Sequence, residues 1–417
     1  MNVGIITSHM SFDEHGGANY SRHLLGQQLE ARGHDVTIYT LNFADENHVP
    51  VEHDYELVET RIDSWTMFDG VARFYQKVGR YFGNHDVIHA YVPGIISLLQ
   101  LYREATGDET PLFGHLNGYT PFCTNTAIMS DGCWQDCSLA DKFRHSRQEP
   151  AGKFSPGGVA RMGFNHVGTD RLLSRVDGLF CLSPAVAQIY DEYGVDDSVL
   201  EVVPNMVDPN FQTASDDADS GRQAAVADGG PRADGGDETR ILYVGRVDAM
   251  KSIGDLLDAV AAMDSAGYHV DIVGDNILDY GMGLDGYRER AGELGIDDRV
   301  TFHGWVDYQN LSPYYERGDL FVHPAQWPEP FGRTIIEAMQ HGLPIVCGDV
   351  GAPPWVSGSA GVTYPVGDTT ALADQLDTLL ADSERRRRMA QYTQVELERF
   401  EPSLVTGQII ESYEGVL

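Results

Sequence analysis

DLFVHPAQWPEPFGRTIIEAMQHGLPIVCGD, residues 319 to 349, reads as a strand, a loop, a helix and a second strand without interruption. DLFVHP and PIVCGD are short β-branched or apolar runs bounded by Asp, Pro and Gly, the residues that mark strand ends. The segment between them opens at the Phe331-Gly332 turn and continues as a helix toward Gly342. A helix between two neighbouring strands makes them parallel, because parallel strands need a crossover of this length.

The same grammar repeats outward from that unit. VGIITS (3–8), DVTIYT (35–40), DVIHAYV (86–92), PLFGHL (111–116), GLFCLS (178–183) and LEVVPN (200–205) are expected as strands of a first domain. RILYVG (240–245), HVDIVG (269–274), RVTFHG (299–304), DLFVHP and PIVCGD are expected in a second. The chain is therefore read as α/β, with two Rossmann-like doubly wound domains facing across a central cleft. The first spans residues 1–208, an acidic Gly/Asp-rich linker 209–240, the second 241–395, and a C-terminal helix at 396–417 is expected to pack back on the first.

At 417 residues two domains are the natural division. The 29 basic side chains against 63 acidic ones leave a net charge of −34, and only Lys77, Lys142, Lys153 and Lys251 are lysines. A surface rich in carboxylates and poor in lysine stays hydrated in concentrated salt, where self-repulsion is screened, so the chain is read as salt-adapted. No broad basic face is available for phosphates of a polynucleotide, which excludes nucleic acid as a partner. MNVGIITS enters a strand with no charged leader or long apolar run, so a cytoplasmic protein is expected. Five cysteines, an odd number, argue against a disulfide scaffold.

Several strand ends carry groups suited to an anionic or polyhydroxy ligand. Gly16 and Gly17 stand where a loop enters a helix and let backbone N–H groups approach a ligand closely; a plain strand-to-helix turn reads the same way. Arg246 lies just past one strand and Lys251 at the next helix start, where two fixed cations can neutralise a diphosphate; a solvated loop pair is the alternative. Gly332, Arg333 and Thr334 sit at a helix N-terminus, whose free N–H groups suit phosphate or hydroxyl oxygens. Glu329 in the loop can accept from sugar hydroxyls and Glu337 on the helix from both hydroxyls of a ribose. Alternatively Glu337 complements the helix dipole and Glu329 lies on the surface.

In order and spacing, VGR with a lysine soon after, VDIVGDN, RVTFHGWV, LFVHPAQWPEPFGRTIIEAMQHGLPIV and the earlier VVPNMVDPNF resemble the retaining GT-B glycosyltransferases of family 4. The resemblance covers nearly the whole chain, and EPFGRTIIE is similar to the family's E-x7-E motif. It implies that Glu329 contacts the donor sugar, that Glu337 contacts the ribose, and that Arg246 and Lys251 hold the diphosphate. It places Gly16 and Gly17 near donor and acceptor and Gly304, Trp305 and Val306 at the nucleobase. The helix start at Phe331, Gly332, Arg333 and Thr334 is expected, from its free N–H groups, to bind the donor and hold charge on the leaving diphosphate. The family's histidine near the reacting sugar carbon matches His115. On this resemblance His115, Arg246, Lys251 and Glu329 are the catalytic candidates, with no metal and no cofactor beyond a UDP- or GDP-sugar as co-substrate.

Some positions depart from the family pattern. It often has a small or apolar residue where Arg333 stands and a glycine where Met206 follows Asn205. An aspartate is expected near His115 where Asn117 stands. The loop after the last expected strand is GAPPWV, with Pro353 and Trp355 as departures, so the identity of the sugar does not carry over.

Cys123, Cys133 and Cys137 form C-x9-C-x3-C with His145 beyond, a set that suits structural zinc or simply buried or redox-active thiols. Residues 142–175 hold seven basic against two acidic side chains. The stretch 65–82 carries Arg73, Lys77 and Arg80 opposite an aromatic face, which is either a membrane-contacting surface or core. Arg385 to Arg388 read as a solvated face. The function expected is a retaining, metal-independent transfer of sugar from a nucleoside diphosphate sugar to a hydroxyl acceptor such as a lipid-linked glycan or glycolipid. Peripheral contact with an anionic inner membrane face accompanies it. Another GT-B enzyme, an epimerase or phosphorylase, or a non-catalytic membrane-associated assembly factor, remains the alternative.

Overall fold

The structure is a computed structural model and describes residues 1–8, 16–41, 53–59, 75–79, 81–119, 133–134, 137–138, 140–141, 144, 168–211, 238–276 and 282–417. The chain forms two compact units, Met1–Met206 together with Pro402–Leu417, and Val207–Glu401. Residues 212–237, the bulk of the expected linker, lie outside the described residues.

The first unit is built on a seven-stranded parallel sheet in the order β3-β2-β1-β4-β5-β6-β7. Its strands are β1 (Asn2–Thr7), β2 (Asp35–Thr40), β3 (Glu56–Glu59), β4 (Val87–Tyr91), β5 (Leu112–Leu116), β6 (Gly178–Cys181) and β7 (Leu200–Val202). Helices α1 (Gly16–Glu30), α2 (Pro93–Thr106) and α3 (Pro184–Glu192) join them. β4, β5 and β6 are buried along their whole length, as strands covered on both faces must be, and this explains their near-continuous apolar sequences.

The second unit holds a six-stranded sheet in the order β10-β9-β8-β11-β12-β13. It comprises β8 (Thr239–Val244), β9 (Tyr268–Val273), β10 (Val300–Gly304), β11 (Leu320–His323), β12 (Ile345–Gly348) and β13 (Gly361–Tyr364). Helices α4 (Ile253–Ala262), α5 (Leu284–Glu293), α6 (Ser312–Arg317), α7 (Arg333–Gln340), α8 (Pro353–Ser357), α9 (Thr369–Ala381) and α10 (Ser383–Leu397) pack around it. Its core gathers Ile241, Tyr243, Leu256, Val270, Ile272, Val322 and Leu376, all from the inner faces of these elements.

Every strand named from the sequence is present, and two more, β3 and β13, close the sheet edges. ELVE and GVTY are four-residue runs with exposed positions, too short and too polar to announce themselves. The chain's last helix, α11 (Pro402–Glu414), buries Val405, Ile409 and Tyr413 in the first unit, where the Tyr413 hydroxyl bonds the His89 ring and its own ring meets Phe113. The second unit begins at Val207, whose N–H donates to Phe400 O at 2.9 Å, and Phe211 packs on Tyr308 and Tyr315. Among the described residues no helix is long and apolar enough to cross a membrane.

Close backbone approach at the ends of β8 and β9 sets a local constraint. Gly274 has φ +135°, and a Cβ there would stand 1.8 Å from Gly245 O. Gly274→Ala is expected to destabilise the second unit by about 2 kcal/mol or more. Gly94→Ala, which meets nothing within 4 Å, should be nearly neutral. Denaturant unfolding of the two variants checks the contrast.

Candidate active site

In the order β10-β9-β8-β11-β12-β13, successive connections run one way from β8 and the other way from β11. The loops beyond these two strands therefore diverge and leave a crevice at their carboxyl ends, the place where open α/β sheets bind ligands. Arg246 and Lys251 follow β8, and Glu329, Gly332, Arg333 and Glu337 follow β11. The sheet order brings the two loops to one crevice.

The loop after β8 is held by Asp248, which is fully buried. Its carboxylate accepts from Met250 N–H at 3.0 Å and Lys251 N–H at 3.2 Å, capping the short 3-10 turn Ala249–Lys251, and lies 3.4 Å from the Arg246 guanidinium. The Tyr243 hydroxyl donates to Arg246 O. Ser252 follows in the left-handed region, φ 53°, and starts α4. Lys251 is thus fixed at both its neighbours.

Its ammonium forms an ion pair with the Glu329 carboxylate and lies 5.8 Å from the Trp327 ring centroid. Burial alone would raise Glu329, but the Lys251 ammonium, His323 and Arg246 outweigh it and hold the carboxyl below the usual glutamate range. His323, at the end of β11, is pushed down to about 4 by burial and by the Lys251 charge, so it stays neutral. Its Nδ1 is buried with no partner among the described residues.

Glu329 is also held through its backbone. Ala352 N–H donates to Glu329 O at 2.9 Å, and Gly351, φ +67°, lies so close that a Cβ would be 2.6 Å from Glu329 N. The departing GAPPWV loop therefore buttresses this glutamate, and its Trp355 packs against Phe400 with Arg399 above the ring.

Glu337 is not the open acceptor that the E-x7-E reading implies. It is 3% exposed, its Oε1 lies 3.3 Å from Arg333 Nε, and its Oε2 accepts from the Tyr315 hydroxyl at 2.9 Å. Burial raises the carboxyl; Arg333 and Tyr315 pull it back, and Asp208 pushes it up. Arg333 is buried too, with Glu337, Tyr308 and Asp208 about it. Phe331 is packed edge-on against Phe400, so its side chain belongs to the core. Gly332 caps α7 in the left-handed conformation, φ 85°, and Thr334 is half-buried in the first turn.

At the end of β10, Gly304 turns the chain with φ 74° and accepts from Gly274 N–H at 2.8 Å. Trp305 beyond it is 41% exposed, its indole N–H donating to Asp307, and Val306 is half-buried.

Residues 15–211 match the family described as Glycosyltransferase Family 4 and residues 232–396 that described as Glycosyl transferases group 1. Both halves of the chain are glycosyltransferase domains. The D-inositol 3-phosphate glycosyltransferase of Nocardia farcinica is 29% identical over 261 residues, covering 60% of this chain and 55% of its own length. The chain thus spans about half the length of this curated relative. Among solved structures, sucrose-phosphate synthase from Thermosynechococcus elongatus superposes with a TM-score of 0.72 at 21% identity, over 100% of this chain and 98% of its own. HepE of Anabaena in complex with UDP-glucose gives 0.70 at 18% identity over 100% of both chains. The fold is GT-B.

In the group 1 domain Lys251 and Glu329 meet as an ion pair with the charge of Arg246 near, while Arg333 and Glu337 form a buried pair of their own on α7. Asp248, His323 and Tyr315 were not singled out in the sequence; the Asp-x-Met-Lys cap after a strand signals the first, whereas nothing local signals the other two. In the Family 4 domain, α1 begins at Gly16, with Gly17 in its first turn. His115, at the end of β5, is stacked between Tyr91 at 4.7 Å and His89 at 5.4 Å, and neither of its ring nitrogens has a partner among the described residues. Arg22 lies over the other ring of the stack, Tyr91, at 5.2 Å. Val92, next to Tyr91, has φ 72°, a region β-branched residues rarely enter.

Cys123, His145 and most of the basic stretch 142–175, with Arg73 and Arg80, lie outside the described residues. Within them Cys133 and Cys137 are thiols, and no group of three potential metal ligands occurs. Arg144 pairs with Asp141 at 3.1 Å and Arg175 with Glu104 at 3.1 Å, so two cations of that stretch meet local carboxylates.

Burial, with the Arg22 charge, pushes His115 down to about 3. Its folded value lies below the unfolded one near 6.5, so the unfolded chain binds more protons between these values, and stability rises with pH across that window and is lost as the solution is acidified. His115→Phe is expected to flatten this acid loss by up to about 1.4 kcal/mol per pH unit, with no change of slope above about pH 7. Urea midpoints across pH check it.

Proposed function

We propose that the chain is a retaining glycosyltransferase that moves a sugar from a nucleoside diphosphate sugar to a hydroxyl acceptor without a metal. The observation that carries this reading is the Lys251–Glu329 pair, with Arg246 beside it, at the strand-order reversal of a group 1 domain. Cations fixed where a diphosphate's charge develops stabilise the departing group with no reorganisation. Arg246 and Lys251 take that part, and the N–H groups at the start of α7 add to it. Glu329 accepts from hydroxyls of the donor sugar, releasing part of Lys251's charge to the phosphate. Glu337 receives the ribose, and the exposed Trp305 ring with Gly304 and Val306 offers a face to the nucleobase.

In the step proposed, the bond between the anomeric carbon and the diphosphate oxygen breaks. The acceptor oxygen bonds that carbon from the same face, and its proton passes to the departing phosphate oxygen. His115, neutral and with no ring partner among the described residues, donates or accepts a hydrogen bond at a sugar hydroxyl. It does not serve as a general acid.

The donor is a UDP- or GDP-sugar, a reading supported by the UDP-glucose of the HepE complex. A lipid-linked glycan or glycolipid as acceptor, and peripheral contact with an anionic membrane, rest on the basic residues between 142 and 175 and around Lys77. Salt adaptation and a cytoplasmic place rest on the charge of −34 and on the arginine-over-lysine usage.

Calorimetric titration of UDP, GDP and their sugars in molar KCl, with and without EDTA, followed by turnover of the donor that binds, tests the reading. Lys251→Ala is expected to lower turnover about 100-fold with little change in donor affinity. Glu337→Ala is expected to weaken donor binding about tenfold or more. Binding that EDTA abolishes sinks the metal-independent route, and binding of no nucleotide sinks the transferase reading.

A further inference from the structure

Arg333 and Glu337 stand one turn apart on α7, and both side chains are withdrawn from solvent, at 7% and 4% exposure. They form one cluster with groups from two other elements and the segment entering the unit. Tyr315 of α6 donates to Glu337 Oε2 at 2.9 Å. Tyr308, in the 3-10 turn Tyr308–Asn310, hydrogen-bonds with Arg333 and donates to Asp208 Oδ2 at 3.4 Å. Asp208 is 1% exposed. His341 completes the set, bonded to Glu337 O at 2.9 Å with its ring stacked on Tyr315. One guanidinium therefore faces two carboxylates in a site nearly closed to water.

We infer that Arg333 is a positioning residue for the donor, holding Glu337 ionised and aimed so that its carboxylate can receive the ribose. The inference rests on the assignment of Glu337 to the ribose made above. Desolvation drives a buried carboxyl toward its neutral form unless a partner holds the charge. At Glu337 burial is the leading influence, Arg333 is the leading one opposing it, and the nearby Asp208 acts in the same direction as burial. Taking away one member of a buried pair leaves the other uncompensated, and a carboxyl answers by binding a proton. A protonated carboxyl offers one O–H donor in place of an acceptor, which a ribose diol cannot use in the same way. Asp208 stands beside Arg333 as a second carboxylate for the same guanidinium.

Two readouts then move in opposite directions with pH. Donor affinity of Arg333→Leu rises with pH, because only the ionised Glu337 accepts. Stability of the same variant falls with pH relative to wild type. Burial already raises the folded Glu337 above its unfolded value in wild type, and loss of Arg333 raises it further, so the variant loses additional stability as pH rises through its higher folded value. A merely structural role of Arg333 produces neither slope.

The test is calorimetric titration of UDP and GDP with wild type, Arg333→Leu, Arg333→Lys, Glu337→Gln and the double variant, in molar KCl, from about pH 6 to about pH 9, beside thermal unfolding. Relative to wild type, Arg333→Leu should bind about tenfold or more weakly at about pH 6 and recover most of that by about pH 9. Arg333→Lys should restore most of the affinity at low pH. The double variant should lose the pH dependence and bind as Glu337→Gln does. Tyr315→Phe, which removes one hydrogen bond and little volume, should show the same slope in weaker form if Arg333→Leu does not fold. Affinity unchanged in Arg333→Leu, or lowered equally at every pH, overturns the inference and leaves the donor assignment standing. Binding of neither nucleotide by wild type overturns the donor assignment and the inference together.

Discussion

Reversal of the strand order between β8 and β11 is the constraint on which the second unit's chemistry depends. Parallel crossovers keep one hand, so the only way to extend a sheet in both directions from its centre is to send successive helices to opposite faces. The two central loops then part, and whatever they carry meets without competition from a helix. Lys251 and Glu329 are 78 residues apart in sequence and form an ion pair there. Neither residue's neighbours in the chain announce the other.

Around that crevice the protein treats charge differently from the rest of its surface. A net charge of −34 spread over a solvated exterior is a matter of hydration and screening. At the crevice and along α7 each charge is partly or wholly buried and answered by a named partner: Asp248 by Arg246 and two backbone N–H groups, Glu329 by Lys251, Glu337 by Arg333 and Tyr315. Water screens surface pairs and leaves them weak, whereas these remain strong and directional. The contrast explains why one lysine among four is informative here: it stands at the base of a helix, tethered by an Asp cap, in a chain that elsewhere prefers arginine.

Much of the fold was legible because parallel strands buried on both faces are written as apolar runs between turn residues. GLFC and IVCG needed no partner to be read, while ELVE and GVTY did, since an edge strand of four residues owes its state to the neighbour it pairs with. Positions along the chain were legible as well: Arg246, Lys251, Glu329 and Glu337 all fall just past strand ends. Their environments were not. His323 and Tyr315 became visible only when β11 and α6 were placed beside the loop and helix that carry the glutamates. Phe331 looked like part of a ligand-binding loop and is core, because Phe400, distant in sequence, packs against it.

What the sequence by itself determined is the succession of strands and helices, the two-part division and the identity and order of the charged residues at strand ends, all of which follow from local periodicity, turn chemistry and composition. Tertiary structure alone decided which of those charges are neutralised and how deeply they lie. Glu337 is the clearest case: as a letter it is one more glutamate on a helix, and as a buried carboxylate between Arg333, Tyr315 and Asp208 its protonation depends on its own helix and on two other parts of the unit. Desolvation and pairing are properties of a volume of space, and no stretch of chain contains that volume until the sheet and its helices have closed around it.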